Sequence, residues 1–432
     1  MDCAKTSEEI LQALSTGGAD LGECSVSEGN ATEIYYESGK ISMVRSVLNH
    51  MVVAKAIQGQ KKGIYSTNEL TPDTATEAAA AALESAQHAP VDPAEGISER
   101  TENASFSRGV ASADRDRLYN LLHDFLETVR VEYPKISFDS VSVGHACSDL
   151  HYSNTNGVRL HDANGYYSFS AMFMAKEGEL TSSFQDIGFY FTDLETPLIE
   201  RGMLRTLLAE AQEQIRPQTL DGKFVGDLIV TPACLSDFLR TAQSNFLSNG
   251  SLIDGTSLWK DLMNQPVASD LLTWRSMPES PEIPAASRLT DDGYVAKDMT
   301  IIEQGVLRNF CLSRYGAAKT GLQRSLNSGD DYVVDAGDTP LEQMIASVEN
   351  GLLLNRISGG QPASNGDFSS VAKNSFLIRN GKIVGAVTET MITGNIAEML
   401  KNIVAVSKER IADGASILPW VRMTGVTISG QA

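Results

Sequence analysis

The peptide NGDFSSVAKNSFLIRNGKI, residues 365–383, places Asp367, Ser369 and Ser370 directly behind a glycine turn. Loops of this composition often line active sites. A serine attacks a substrate only when a base takes its proton, usually a histidine and sometimes a lysine. All six histidines (His50, His88, His123, His145, His151, His161) precede residue 162. Lys373 and Lys382 are near in sequence, but nothing marks either as desolvated. A structural role suits the segment better. Gly366 permits a tight turn, Asp367 is suited to capping neighbouring amides, and Phe368 is expected to pack inward. Its glycines have neither of the spacings that cradle a nucleotide's phosphates.

A second constellation is GHACSDLHYS, in which His145, Cys147, Asp149 and His151 alternate. On a strand all four share one face. Adjacent same-face residues stand about 6.6 Å apart, so two neighbours can share an ion. The four together span about 20 Å, too far for one ion. Two readings stay open here, a metal held by neighbours and the polar face of an antiparallel sheet.

The chain of 432 residues is long enough for two or three domains with real cores. Its 55 acidic and 35 basic residues give a formal charge of −20. Duplex DNA and anionic membranes attract basic surfaces, and no Lys/Arg-rich run is present. Direct nucleic-acid binding is therefore not expected. No apolar run reaches the roughly 18–20 residues that span a bilayer, so no membrane partner is expected. The start, MDCAKTSEEILQAL, shows no basic segment followed by an apolar one. Five scattered cysteines without a CxxC pair fit free thiols in a cytoplasmic protein.

Stepping along the chain, Ile10, Leu11 and Leu14 mark a short first helix. Strand-like runs follow to Ile64, with breaks at Gly29-Asn30, Ser38-Gly39 and Gly59 to Gly63. TPDTATEAAAAALESA reads as a helix with Thr71 as N-cap and Pro72 in its first turn. Residues 89–105 read as a linker. A helix from Asp114 to Val131 opens a second unit. Strands then run from Ile136 to Phe191, with turns at Ser153 to Gly157, Asn164-Gly165 and Glu177-Gly178, and a helix from Leu198 to Ile215 closes it. Beyond residue 217, hairpins are marked by Gln304-Gly305 and Asn380-Gly381. Helices are expected at Pro232 to Leu247, Pro340 to Glu349 and Asn395 to Lys401. The expected fold class is α+β: helix-plus-sheet units over 1–104 and 105–217, then a mainly β domain over 218–432. Ile396, Met399, Leu400 and Ile403 form a core or interface face. Trp259, Trp274 and Trp420 suit either core or interface.

Four stretches of the last third taken together resemble one family. They are DDGYVAKDMTIIEQGVLRNF, SNGDFSSVAKNSFLIRNGKI, TETMITGNIAEMLKNI and LPWVRMTGVTISG. Their order and spacing are similar to those of the PmbA/TldD family, once called modulators of DNA gyrase. KKGIYSTNELTPDTATEAAAAALESA and YSNTNGVRL extend the resemblance over nearly the whole chain. TldD-like members carry a zinc-binding HExxxH helix and a late cysteine ligand. The PmbA-like branch, also called TldE, lacks both and pairs with a TldD-like chain in a cytoplasmic metallopeptidase acting on unfolded peptides. The NGDFS segment is similar to that branch's TGDFS-type motif, although Ser364-Asn365 stands where Thr is usual. Counted from Pro232, the HExxxH slot falls on RTAQSN, with Arg240, Thr241 and Asn245 at the degenerate positions. Arginine and asparagine cannot replace imidazole on zinc. No cysteine follows Cys311.

The resemblance implies a non-catalytic subunit with no cofactor of its own and no catalytic residues. Zinc is expected in a TldD-like partner. Gly366, Asp367, Phe368, Ser369 and Asn395 are the candidates for peptide contact or for a purely structural role. The alternatives are an independent homodimer that binds peptide or another ligand without hydrolysis, and a gyrase-linked regulator.

Overall fold

Apolar residues at helical spacing place the first helix, α1 (Cys3–Thr16), with Ile10 and Leu14 fully buried. The computed structural model describes residues 2–100 and 103–430. Next come β1 (Leu21–Glu37), β2 (Lys40–Gln58), β3 (Lys61–Thr67), α2 (Thr74–His88), β4 (Ala104–Gly109) and α3 (Arg115–Glu132). The second half of the sheet comes from β5 (Ile136–Asn154), β6 (Arg159–Glu177), β7 (Leu180–Thr181) and β8 (Gln185–Phe191), followed by α4 (Leu204–Glu213).

These strands form one sheet in the order β3-β2-β1-β5-β6-β4, with β7 and β8 also on β6. The units read as 1–104 and 105–217 therefore share a sheet. β1 from the first pairs with β5 from the second along its length, from Glu23↔Asn154 to Glu37↔Ser140. The expected boundary falls at the first residue of β4, where the segment read as a linker ends. β1, β2, β5 and β6 are 17–19 residues long. At about 3.3 Å per residue they reach nearly 60 Å, far longer than an ordinary strand.

That length decides how the sheet is covered. α1 and α2 pack on one end, against Cys24, Val26, Val52 and Ala54. α3 and α4 pack on the other end, against Ile34, Val141, Val143 and Phe169. The register places Val26, Ile34, Val143 and His151 on the same face. Between the two helical pairs that face is polar, and His145, Asp149 and His151 lie there.

Several local readings are corrected. Gly29-Asn30 and Asn164-Gly165 are not breaks, since β1 and β6 run straight through them. The α2 N-cap is Asp73 rather than Thr71, whose backbone N–H donates to Thr74 Oγ1 at 2.8 Å. The helix expected over 198–215 is a short 3-10 turn, Leu198–Glu200, followed by α4.

The C-terminal half is built on a second sheet centred on strand Ile417–Ser429, which pairs with Lys223–Val230, Thr390–Asn395 and Ile403–Ala412. Both expected hairpin turns are present, with positive φ at Gln304, Gly305, Asn380 and Gly381. This pattern suits the right-handed twist of the flanking strands. Trp259, Trp274 and Trp420 are all buried, so within this chain they serve the core. The α+β class expected from the pattern is the one the chain adopts.

One contact between the halves gives a pH-dependent expectation. Asn355 Nδ2 donates to Glu210 Oε2 on α4 at 2.7 Å. Burial raises the Glu210 carboxyl from 4.5 to about 7, with the Asn355 bond opposing the shift. Below the unfolded value both states are protonated, and the contribution to stability is fully present. As pH rises through the folded value, folding has to bury a charge and that stability is lost. Glu210→Gln keeps the shape and removes the titration. Between pH 5 and 8 it is expected to gain roughly 2–3 kcal/mol relative to the wild type, read from denaturant melts at each pH.

Candidate functional site

The slot expected for a zinc helix lies on α5 (Pro232–Ala242), whose first position is a proline. Pro232 suits that position because its missing N–H would have no intrahelical partner there. Cys234, Leu235, Phe238, Leu239 and Ala242 form its buried face. A π-helical turn, Gln243–Leu247, continues it and carries Phe246 and Leu247 into the core. The sequence reading merged the two into one helix.

Three of the polar side chains of the slot, Thr241, Gln243 and Asn245, are bonded to protein, while Arg240 and Ser244 are exposed. Thr241 Oγ1 donates to the Asp237 carbonyl at 2.9 Å. Arg240 lies 3.9 Å from the Asp237 carboxylate on the surface. Asn245 Nδ2 donates to the Ala363 carbonyl at 2.9 Å, tying the π turn to the segment before Gly366. Gln243, which the sequence reading did not single out, is the most committed. Its Nε2 donates to the Ser328 carbonyl at 3.0 Å and to Asp330 Oδ1 at 3.2 Å. Its Oε1 accepts from the Tyr332 hydroxyl at 2.5 Å. Its place inside the RTAQSN slot was the available signal.

The Gly366 segment meets this helix. Gly366 has φ of 87°, and a Cβ there would lie 3.1 Å from the Phe246 ring. Asp367 begins a strand, Asp367–Lys373, that pairs antiparallel with Thr390–Asn395. The segment is thus a turn and a strand rather than a loop. Phe368 packs inward as expected, its ring 5.8 Å from that of Phe238. Ser369 Oγ lies 3.1 Å from Thr393 Oγ1. Ser370 donates to the carbonyls of Gly359 and Gly360 at 2.9 and 3.1 Å. Neither hydroxyl meets a base in these bonds.

Asp367 does not cap backbone amides as expected. Its carboxylate accepts from Asn395 Nδ2 at 2.8 Å and from Asn365 Nδ2 at 2.7 Å. Those two amides hold its carboxyl below the usual carboxylate range. The cap is Asn395, whose Oδ1 accepts from the Glu398 N–H at 3.1 Å and starts helix Ile396–Lys401. Asn395 also donates to the Asn365 carbonyl at 2.9 Å. Asn395→Ala removes the cap and both clamps together. It is expected to lower stability by about 1–2 kcal/mol, measured by denaturant melts, while the fold survives.

A peptidase zinc site needs about three imidazole, carboxylate or thiolate ligands and an open position. Guanidinium, hydroxyl and committed amides at the slot do not meet that need. Cys311, near Gln243, has its thiol pushed up to about 12 by burial, so it does not present a thiolate. Zinc of the family type does not fit these residues.

Among the described residues, metal-donor side chains converge elsewhere. Asp149, His151 and His161 bring their ligand atoms within 4.8 Å of one another. The first two are the alternating neighbours of the sequence reading. His161 was missed because it lies on β6, and the exact register, His151↔His161, brings it alongside. His145 is turned away, with Nε2 2.7 Å from the Val110 carbonyl.

Residues 223–430 match the sequence profile of the PmbA/TldA metallopeptidase C-terminal domain. The Escherichia coli O157:H7 protein Metalloprotease PmbA is 23% identical, across 95% of this chain and 94% of that one. A Saccharolobus solfataricus protein, described as a zinc metalloprotease TldD homolog, is 24% identical across 67% of this chain and 68% of its own. The fold is similar to that of TldE from Thermococcus kodakarensis, with a TM-score of 0.86 at 19% identity, covering 98% of this chain and 100% of the other. Residues 223–430 thus carry the C-terminal domain of the PmbA/TldD family, and relatives named for that family run along nearly the whole length of the chain.

Proposed function

We propose that this chain is the non-catalytic, PmbA/TldE-like subunit of a cytoplasmic peptidase, paired with a zinc-bearing TldD-like chain. The partner supplies the zinc and the base, and this chain helps to enclose an unfolded or extended peptide. One observation carries the reading: the side chains of the zinc-helix slot, Thr241, Gln243 and Asn245, are spent on bonds within the protein. Thr241 bonds within α5, Gln243 ties the helix to Ser328, Asp330 and Tyr332, and Asn245 ties the π turn to the segment before Gly366.

The edge of the long sheet offers a surface for pairing. β3 pairs with β2 only over residues 52–58, which leaves 40–51 without a strand on its outer side among the described residues. Val44 and Leu48 there are 56% and 57% exposed. A long edge with exposed apolar side chains favours addition of another chain. The same edge supports the second reading, a homodimer that binds peptide without cutting it. Peptide contact is assigned to Gly366, Asp367, Ser369 and Asn395, whose clamp shapes the surface beside α5, with Phe368 packed beneath them. A direct DNA-binding role in gyrase regulation is disfavoured by the charge of −20.

Cleavage of an unfolded peptide, assayed with this chain alone and with a TldD-like chain added, tests the reading. Partner-dependent cleavage supports it. Chelator-sensitive cleavage by this chain, proven free of other chains, overturns it.

A further inference from the structure

The cluster on the polar middle of the long sheet has no part in the proposed peptidase role. We infer that Asp149, His151 and His161 form a site for one divalent first-row transition ion of the zinc class.

The ligands come from two neighbouring strands in fixed register. Asp149 and His151 share a face of β5, and His161 stands opposite His151 on β6. The two imidazole rings lie 4.4 Å apart and nearly parallel, at 17°. Asp149 bridges them: Oδ1 is 2.5 Å from His161 Nε2, and Oδ2 is 3.5 Å from His151 Nε2. Two ligand atoms on one tetrahedral ion lie about 3.3 Å apart, given metal–ligand bonds of about 2.0–2.1 Å. Side-chain rotations of ordinary size therefore close the three donors onto an ion, while the strand pairing holds the backbone still.

The donor types fit the ion class. Two imidazoles and a carboxylate suit zinc and its neighbours better than calcium or magnesium, which prefer oxygen alone. Three protein ligands leave a position open, as in reactive rather than closed zinc sites. His151 and His161 line a cavity of about 410 Å³ that also touches Ser7, Glu8 and Arg159, so an ion and an added ligand can enter.

An outer partner is already present. Ser105 Oγ on β4 lies 2.8 Å from His161 Nδ1. A neutral ring carries one N–H. When that hydrogen is on Nδ1, Ser105 accepts it and Nε2 is free to bind metal. When it is on Nε2, the ring donates to Asp149 and the serine hydroxyl turns to donate to Nδ1. The hydroxyl serves both states by rotation, so filling the site needs no change in the strand. Hydrogen bonds of this kind orient a ligating imidazole and raise its basicity.

The experiment uses the full chain, stripped with a chelator and dialysed. Zinc is titrated against a chromophoric chelator, and cobalt is followed by its visible absorption. One ion per chain is expected. His151→Ala, His161→Ala and Asp149→Asn are each expected to loosen zinc by about a hundredfold or more. Ser105→Ala, which leaves all three ligands, is expected to loosen it by about tenfold. His123→Ala, at an exposed position of α3, serves as the control and leaves binding unchanged. Circular dichroism confirms that each variant is folded. Failure to bind one equivalent overturns the proposal, as does binding that survives in a folded His151→Ala/His161→Ala double variant. Because the reading uses this chain alone, either result leaves the pairing proposal to its own test.

Discussion

A mixture of this protein with a TldD-like chain bearing HExxxH is expected to cut unfolded peptides that this protein alone leaves intact. The effect is all-or-none on the scale of an assay, since enzymes accelerate such reactions by about a million-fold or more. The argument rests on donor chemistry. At the slot on α5, Arg240 is a permanent cation, and Thr241, Gln243 and Asn245 already hydrogen-bond to the protein. Nothing there activates water at neutral pH. A partner variant with a broken HExxxH should abolish cleavage while still binding this chain, which separates the partner's zinc from any ion held here. Val44→Lys/Leu48→Lys places charge on the open edge of β2, and pairing and cleavage are expected to fall together. Asp367→Ala is expected to stay folded and to weaken peptide capture or pairing, because it releases the clamp from Asn395. If the partner cuts equally well without this chain, the subunit reading fails. Self-association lost in the Val44→Lys/Leu48→Lys variant, with no response to a TldD-like chain, favours the homodimer.

Local signals were legible where the cause is local. Periodic leucines and isoleucines gave α1, and the Gln304-Gly305 and Asn380-Gly381 pairs gave both hairpins, because glycine takes positive φ freely and asparagine more readily than most residues. Phe368 packs inward as its apolar character requires. Causes that lie across the fold were not legible. The single long sheet depends on β1 pairing with β5 more than 100 residues later in the chain. The third ligand of the Asp149 cluster depends on the β5–β6 register. Whether Asp367 or Asn395 serves as the cap depends on which backbone lies within reach, and the sequence alone does not contain that distance.

Two glycines read as strand breaks are expected to respond oppositely to the same change. Gly29→Ala should be nearly neutral, within about 0.5 kcal/mol, whereas Gly165→Ala should cost about 3–5 kcal/mol or leave no soluble protein. Both lie inside long strands, and neither has a positive φ. The difference is what stands above them. A Cβ on Gly29 would meet its nearest atoms, the Cys147 and Asn49 carbonyl oxygens, at 3.9 and 4.0 Å, which is ordinary contact. A Cβ on Gly165 would lie 1.8 Å from the Val110 carbonyl oxygen. That atom belongs to the backbone, so no side chain can rotate away. The carbonyl also accepts from His145 Nε2 at 2.7 Å, and the Val110 N–H donates to the Gly165 carbonyl at 2.9 Å. Pushing it aside breaks the end of the β4–β6 pairing and leaves a buried imidazole without its partner, and each such loss costs about 1–3 kcal/mol. Gly165 is therefore retained for close backbone approach in a strand interior. Denaturant melts of the two single variants decide the matter. A Gly165→Ala protein as stable as the wild type would mean that β4 does not cross β6 at this point.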